Sequence, residues 1–161
     1  MLLFAPDDQR LQEWLINSDT PTYQELSQVH HRLAQAANDG EVYFAQRELA
    51  ELTGLHPVTL RVTLSELEQA GALFHLGDQS GYSHWKVLPL AQTALQERAA
   101  AIQRRAKIRL NLLGRMLDYA YLTSCRRAFL LNYFGDADPP ESPRCCDNHS
   151  QAHLEDLPRA V

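Results

Sequence analysis

The stretch Phe44–Leu73, FAQRELAELTGLHPVTLRVTLSELEQAGAL, decides how this chain folds. Its first half carries apolar residues at helical spacing up to Leu52 and is closed by Gly54, a residue that enters the left-handed conformation without penalty. A turn of four residues, Thr53-Gly54-Leu55-His56, precedes Pro57. Proline at the first helical position loses no hydrogen bond, because that N–H has no partner inside the helix. Leu60, Leu64 and Leu67 then repeat along one face until Gly71 stops the second helix. Two short helices so closely joined must cross steeply.

Working outward, Tyr23, Leu26, Val29, His30 and Leu33 define a preceding helix from Thr22 to about Ala37, ended by Asn38-Asp39-Gly40. Val42-Tyr43-Phe44 reads as a short extended piece. Downstream, Ala72–Leu76 and Tyr82–Val87 read as strands flanking Gly77-Asp78-Gln79-Ser80-Gly81, a hairpin loop. Alternation that puts Trp85 and Val87 inward with Phe74 and Leu76 leaves His75, Tyr82, His84 and Lys86 outward. Helix, short strand, helix, turn, helix and hairpin, in that order over residues 22–88, resemble the winged-helix superfamily.

Beyond Pro89 one long helix is expected over residues 90–124. Leu95, Ala99, Ile102, Ala106, Leu110, Leu113 and Leu117 form its apolar stripe, with Arg98, Arg105 and Arg109 on one flank. A second helix is expected from Arg126 to Tyr133. At the other end, Leu2–Ala5 reads as a short strand feeding a helix to Ile16, capped by Asp7 or Asp8, that packs Leu11, Trp14 and Leu15. A four-residue apolar strand cannot stand alone, so residues 1–18 read as the end of a larger sheet-containing domain. Residues 151–161 lack a clear period and are expected to fray. The expected fold is therefore mainly α: three helices plus a β-hairpin, joined by a long helix to a small helical module.

Composition limits what such a chain can do. Its 161 residues, 45% of them hydrophobic, suffice for a buried core. No apolar run has the length of a membrane span, and the opening residues are too short for a signal peptide. An odd cysteine count without such a signal points to a reducing, cytoplasmic setting. The net charge of -5 argues mildly against nucleic acid. The charge is unevenly spread, however: Arg98–Arg127 holds eight basic residues against one acid, Asp118. A polyanion meets that local stripe rather than the mean, although a charge run is also the ordinary dress of a solvated helix.

The helix after the tight turn offers a weaker case for reading DNA. Its candidate outward set is Val58, Thr59, Arg61, Val62, Ser65, Glu66 and Glu68, and one arginine against two glutamates is poor equipment for a groove lined by phosphates. Sequence-specific readout by this helix is not expected. The hairpin, with Tyr82, His84 and Lys86, suits stacking on bases or wedging a duplex end.

The three cysteines are Cys125, Cys145 and Cys146, and His149 follows closely. Thiolates and neutral imidazole are the ligands zinc prefers, and four of them close a structural site. The alternative is that Cys125 is a small buried hydrophobe and the pair lies in a loose tail. The run CRRAFLLNYFGDADPPESPRCCDNH, residues 125–149, resembles the zinc-binding module of RecQ-family DNA helicases, in which a cysteine, two arginines and a LLNYFGE-like run precede a C-x-x-C-D-x-C cluster. Cys125 matches the first ligand of that module, and Cys146-Asp147 match its "CD". His149 stands where the last cysteine would be. Pro143 occupies the place of the remaining cysteine, for which Cys145 must substitute.

LLFAPDDQRLQEWL, residues 2–15, is similar to the strand and helix that close the second motor domain of these helicases. The order of winged helix before zinc module resembles that of some bacterial RecQ-like members.

The resemblance implies a structural Zn2+ held by Cys125, Cys145, Cys146 and His149 over residues 125–150. It also implies an accessory, nucleoid-associated role in DNA repair and recombination beside the parent's motor domains. The DNA would be forked or partly single-stranded, bound without sequence preference by Arg61, Tyr82, His84, Lys86, Arg98, Arg105, Arg109, Arg126 and Arg127. With no G-x-x-x-x-G-K-[ST] loop to cradle phosphates, the chain alone is not expected to hydrolyse ATP. Two other classes fit less well: a free-standing winged-helix transcription regulator with a metal site, and a protein-interaction module without a DNA role.

Overall fold

The structure is a computed structural model and describes residues 5–136 and 145–148. It is mainly helical, with six helices and one three-stranded antiparallel sheet among the described residues. The order is α1 (Pro6–Ser18), α2 (Tyr23–Ala36), β1 (Glu41–Phe44), α3 (Gln46–Thr53), α4 (Pro57–Gln69), β2 (Leu73–Gln79), β3 (Tyr82–Val87), α5 (Gln92–Ala120) and α6 (Arg126–Tyr133). The described residues fall into two compact units. One is Leu11–Leu110, and the other combines the described parts of Met1–Arg10 and Asn111–Val161.

Local chemistry explains most boundaries in the first unit. Thr22 and Glu25 form a reciprocal capping box at the start of α2, each satisfying the other's backbone N–H. Gly54 adopts a left-handed conformation, with φ of 69°, just past α3, and Pro57 occupies the start of α4. His56 caps α4 by accepting from Val58 N at 3.3 Å.

The core gathers Leu26, Val29 and Leu33 of α2, Leu60, Leu64 and Leu67 of α4, and Leu73, Trp85 and Val87 of the sheet. It does not stop at the end of β3. Leu95, Ala99 and Ile102 of α5 belong to the same cluster, so the first turns of the long helix are built into this unit. The sheet order is β1-β3-β2, which leaves β1 and β2 as edges.

Several expectations are corrected here. Phe74 and Leu76 are not in the core: they are 47% and 48% exposed, while Leu73 is fully buried. The pairing register gives the reason. Leu73 lies opposite Val87 and His75 opposite Trp85, so these share the inner face, whereas Phe74 lies opposite Lys86 on the outer one. His75 accordingly packs against the Trp85 ring, with centroids 4.7 Å apart. The register then slips between His75 and Gly77, which displaces Leu76 from simple alternation.

The hairpin loop is also shorter than expected. Strand β2 continues to Gln79, and the turn is Ser80-Gly81, both with positive φ, the geometry that matches strand twist in a two-residue hairpin. In α1, Leu11, Trp14 and Leu15 are exposed, although the Trp14 ring meets His56 edge-on with centroids 5.9 Å apart, and Ile16 is the buried residue. Leu110 of the α5 stripe is 40% exposed, while Leu113 is buried. The strand expected at Leu2–Ala5 lies outside the described residues except for Ala5, which is not in a strand. The tail 151–161 also lies outside them. No helix among the described residues is long and apolar enough to cross a membrane.

Candidate metal centre and basic surfaces

The second unit brings the three cysteines together. Cys125 is the N-cap of α6, and its sulfur accepts from Ala128 N at 3.4 Å. Cys125 Sγ and Cys145 Sγ lie 3.3 Å apart, and the sulfurs of Cys125, Cys145 and Cys146 all lie within 4.8 Å of one another. A tetrahedral zinc–thiolate site with Zn–S bonds of about 2.3 Å has a sulfur–sulfur edge of about 3.8 Å. Three soft donors at this spacing fit such an ion. His149, the expected fourth ligand, lies outside the described residues. Burial raises the Cys145 thiol above its ordinary range, and the hydrogen bond with Cys125 and the neighbouring sulfurs push it further up.

Contacts other than sulfur hold the segment Cys145–Asn148 in place. The Asn148 side-chain amide donates to Leu122 O at 2.7 Å and to Ser124 O at 2.6 Å. Arg126 Nε lies 2.9 Å from Asp147 Oδ1, close enough to pair as charges. The same guanidinium donates to the carbonyls of Tyr119 and Ala120 at the end of α5 and lies over the Tyr119 ring. Arg126 thus satisfies carbonyls that the helix itself cannot. Arg127, beside it, is exposed.

The arginines on the flank of α5 are similarly engaged, in the first unit. Glu66 is 7% exposed, although the sequence places it among the outward residues of α4. Its two oxygens lie 2.6 Å from Arg98 Nη2 and 2.6 Å from Arg105 Nη2. Arg98 also donates to the Gln69 side chain. Arg109 pairs with Asp19 through both terminal nitrogens at 3.2 Å. The cause is plain: a buried carboxylate must be paired, and α5 supplies the cations. Glu66→Gln is expected to lower stability by about 2 kcal/mol, less than the about 3–5 kcal/mol for breaking a fully buried pair, because Arg105 is 53% exposed and keeps water. A urea titration of the variant checks this; an unchanged midpoint contradicts it.

Past Pro57, the exposed residues of α4 are Arg61, Ser65, Glu68 and Gln69. On the outer face of the sheet, Lys86 is exposed and Tyr82 reaches Glu48 Oε1 at 3.5 Å. His84 stacks on Tyr43 with centroids 4.0 Å apart and lies 2.8 Å from Glu41 Oε2. The place of Tyr43 opposite His84 follows from strand register, which no local pattern in the sequence shows. Arg104 and Lys107 also belong to the basic stripe. They are exposed and make no ion pair among the described residues. Their positions on the turn away from the apolar stripe were the available signal.

No curated protein and no solved structure matches the chain. Residues 90–150, which span α5, α6 and all three cysteines, match the family model described as RecQ zinc-binding, and this part of the chain is therefore similar to the zinc-binding region of RecQ-family helicases.

Proposed function

We propose that this chain is an accessory region of a RecQ-like DNA helicase, in which a winged helix over residues 22–88 and a zinc module over residues 125–150 hold DNA for motor domains. The observation that carries the reading is the cluster of three sulfurs inside the segment that matches the RecQ zinc-binding family. Cys125, Cys145 and Cys146, with His149, would hold the ion. Bound there, zinc supplies a structural crosslink, since four protein ligands leave no position for a reacting water.

The residues that would meet phosphates are those whose charge is not spent inside the fold. Arg61, Lys86, Arg104 and Lys107 are exposed without an ion pair among the described residues. Arg98, Arg105 and Arg109 are already neutralised in part by Glu66 and Asp19, and Arg126 is bonded to helix carbonyls. Their contribution to DNA binding is therefore indirect, through the shape they maintain. The outward face of α4 carries one arginine and one glutamate, which favours backbone contact over base readout.

A salt titration against forked and fully duplex DNA tests the proposal. Binding is expected to favour the fork, to be independent of sequence, and to weaken with salt. Arg104→Ala with Lys107→Ala is expected to weaken binding uniformly and to reduce the salt slope by about 2. Arg109→Ala should leave that slope nearly unchanged. Absence of binding at low salt would remove the DNA role and favour a protein-interaction module. Preference for one duplex sequence would favour a transcription regulator.

A further inference from the structure

The sulfur cluster offers a second chemistry besides metal ligation. Cys125 Sγ and Cys145 Sγ, at 3.3 Å, are closer than the about 3.8 Å edge of a zinc–thiolate tetrahedron. A disulfide of about 2.05 Å asks them to approach by little more than about 1 Å. A bridge between Cys145 and Cys146 is disfavoured, because adjacent residues would close a small ring that the planar trans peptide opposes; the competitor is Cys146 as the partner of Cys125, its sulfur lying within 4.8 Å.

Both partners are held by contacts that need no metal. Cys125 is fixed as the cap of α6, and Cys145 leads the segment tied down by Asp147 to Arg126 and by Asn148 to Leu122 and Ser124. All three thiols are partly exposed. A cleft of about 440 Å³, lined in part by Arg127, Leu130, Cys145 and Cys146, gives a small oxidant access to the latter two.

We propose that Cys125 and Cys145 form an oxidation site, at which a hydroperoxide converts the pair to a disulfide that takes over the stapling role of the metal. One thiolate attacks the terminal peroxide oxygen, forming a sulfenic acid as the O–O bond breaks and the departing oxygen leaves as water or an alcohol. The second thiol then displaces water from that sulfur. With hydrogen peroxide, two thiols and one peroxide give one disulfide and two waters; the sulfurs lose two electrons and the peroxide gains them. The disulfide uses two of the three sulfurs, so metal and disulfide exclude one another. This exclusion rests on the zinc reading, whereas the pairing rests on the distances alone.

Mass mapping without reductant tests the pairing. The reduced, metal-free chain is treated with hydrogen peroxide, alkylated and cut with trypsin, which separates Met116–Arg126 from Cys145–Arg159. The two peptides are expected to be covalently joined, to stay joined in Cys146→Ser, and to separate in Cys145→Ser, with far-ultraviolet circular dichroism confirming that each variant is folded. No joined peptide in the parent chain, or the reverse pattern in the variants, overturns the proposal. Zinc added in excess before peroxide is expected to slow joining roughly tenfold or more by mass action, with a chromophoric chelator reporting zinc release as the bridge forms. Joining with zinc still bound would overturn the exclusion. A chain that binds no zinc sinks the zinc reading and leaves the pairing test intact.

Discussion

Cys125→Ser is expected to empty the metal site, taking zinc from about one ion per chain to near zero by elemental analysis. Structural zinc in small modules contributes about 10–16 kcal/mol of apparent binding free energy at neutral pH, supplied jointly by its deprotonated ligands. A serine hydroxyl does not ionise near neutrality, and its oxygen is a poorer partner than sulfur for this ion.

The substitution also separates two roles of Cys125. As the N-cap of α6 the residue accepts from Ala128 N, and serine is one of the best residues for that duty. Loss of metal in Cys125→Ser therefore reports ligation alone. Cys125→Ala should add a capping loss of about 1 kcal/mol. Hydrogen exchange should show the amides of Cys145 and Cys146 less protected in both variants, while Asn148 and Asp147 keep the segment in place through their contacts with Leu122, Ser124 and Arg126. If neither Cys125→Ser nor His149→Ala loses zinc, the ligand assignment is wrong.

Leu67→Ala is expected to cost about 3–4 kcal/mol, within the about 2–5 kcal/mol range for deleting a buried leucine side chain. Leu67 is fully buried on α4 and belongs to the cluster that joins α2, α4, the sheet and the start of α5. Leu26, Leu60 and Leu73 of the same cluster are also fully buried, and in a close-packed core such residues cannot fill a vacated space without opening another. The midpoint of urea unfolding should fall at unchanged slope. Leu76→Ala, at an equally apolar residue only nine positions on, should move the midpoint by about 0.5 kcal/mol or less, because Leu76 is 48% exposed. Equal losses from the two variants would contradict the register in which Leu73 lies opposite Val87 and Leu76 is exposed.

The contrast between Leu67 and Leu76 shows what kind of information a sequence carries. Leu60, Leu64 and Leu67 could be placed on the buried face from their spacing, since helical period is a local property. Gly54, Pro57 and Gly71 marked helix ends for equally local reasons, and the bounds of α6 were read correctly from Arg126 to Tyr133. Strand faces were harder. One irregular step between His75 and Gly77 moves side chains off simple alternation, and nothing within β2 announces it.

The candidate sites divide along the same line. Three cysteines and the run between them were enough to nominate a metal centre, because ligand chemistry is written in residue type. Which sulfurs approach most closely was not, since twenty residues separate Cys125 from Cys145 in the chain. The basic stripe was visible as composition, yet its spending was hidden. Glu66 looked like a solvent-facing obstacle to DNA, and Arg98 and Arg105 looked available, until packing of the two helices paired them.

By itself the sequence determined where the helices of the first unit lie, that a hairpin follows them, and which soft donors are available to a metal, because each depends on residue type or on neighbours a few residues away. Only the tertiary structure decided which face of β2 is buried, which arginines are neutralised, and that Cys125 meets Cys145. Those outcomes depend on partners distant in the chain, and a charge or a thiol has no fixed role until folding brings its partner within reach.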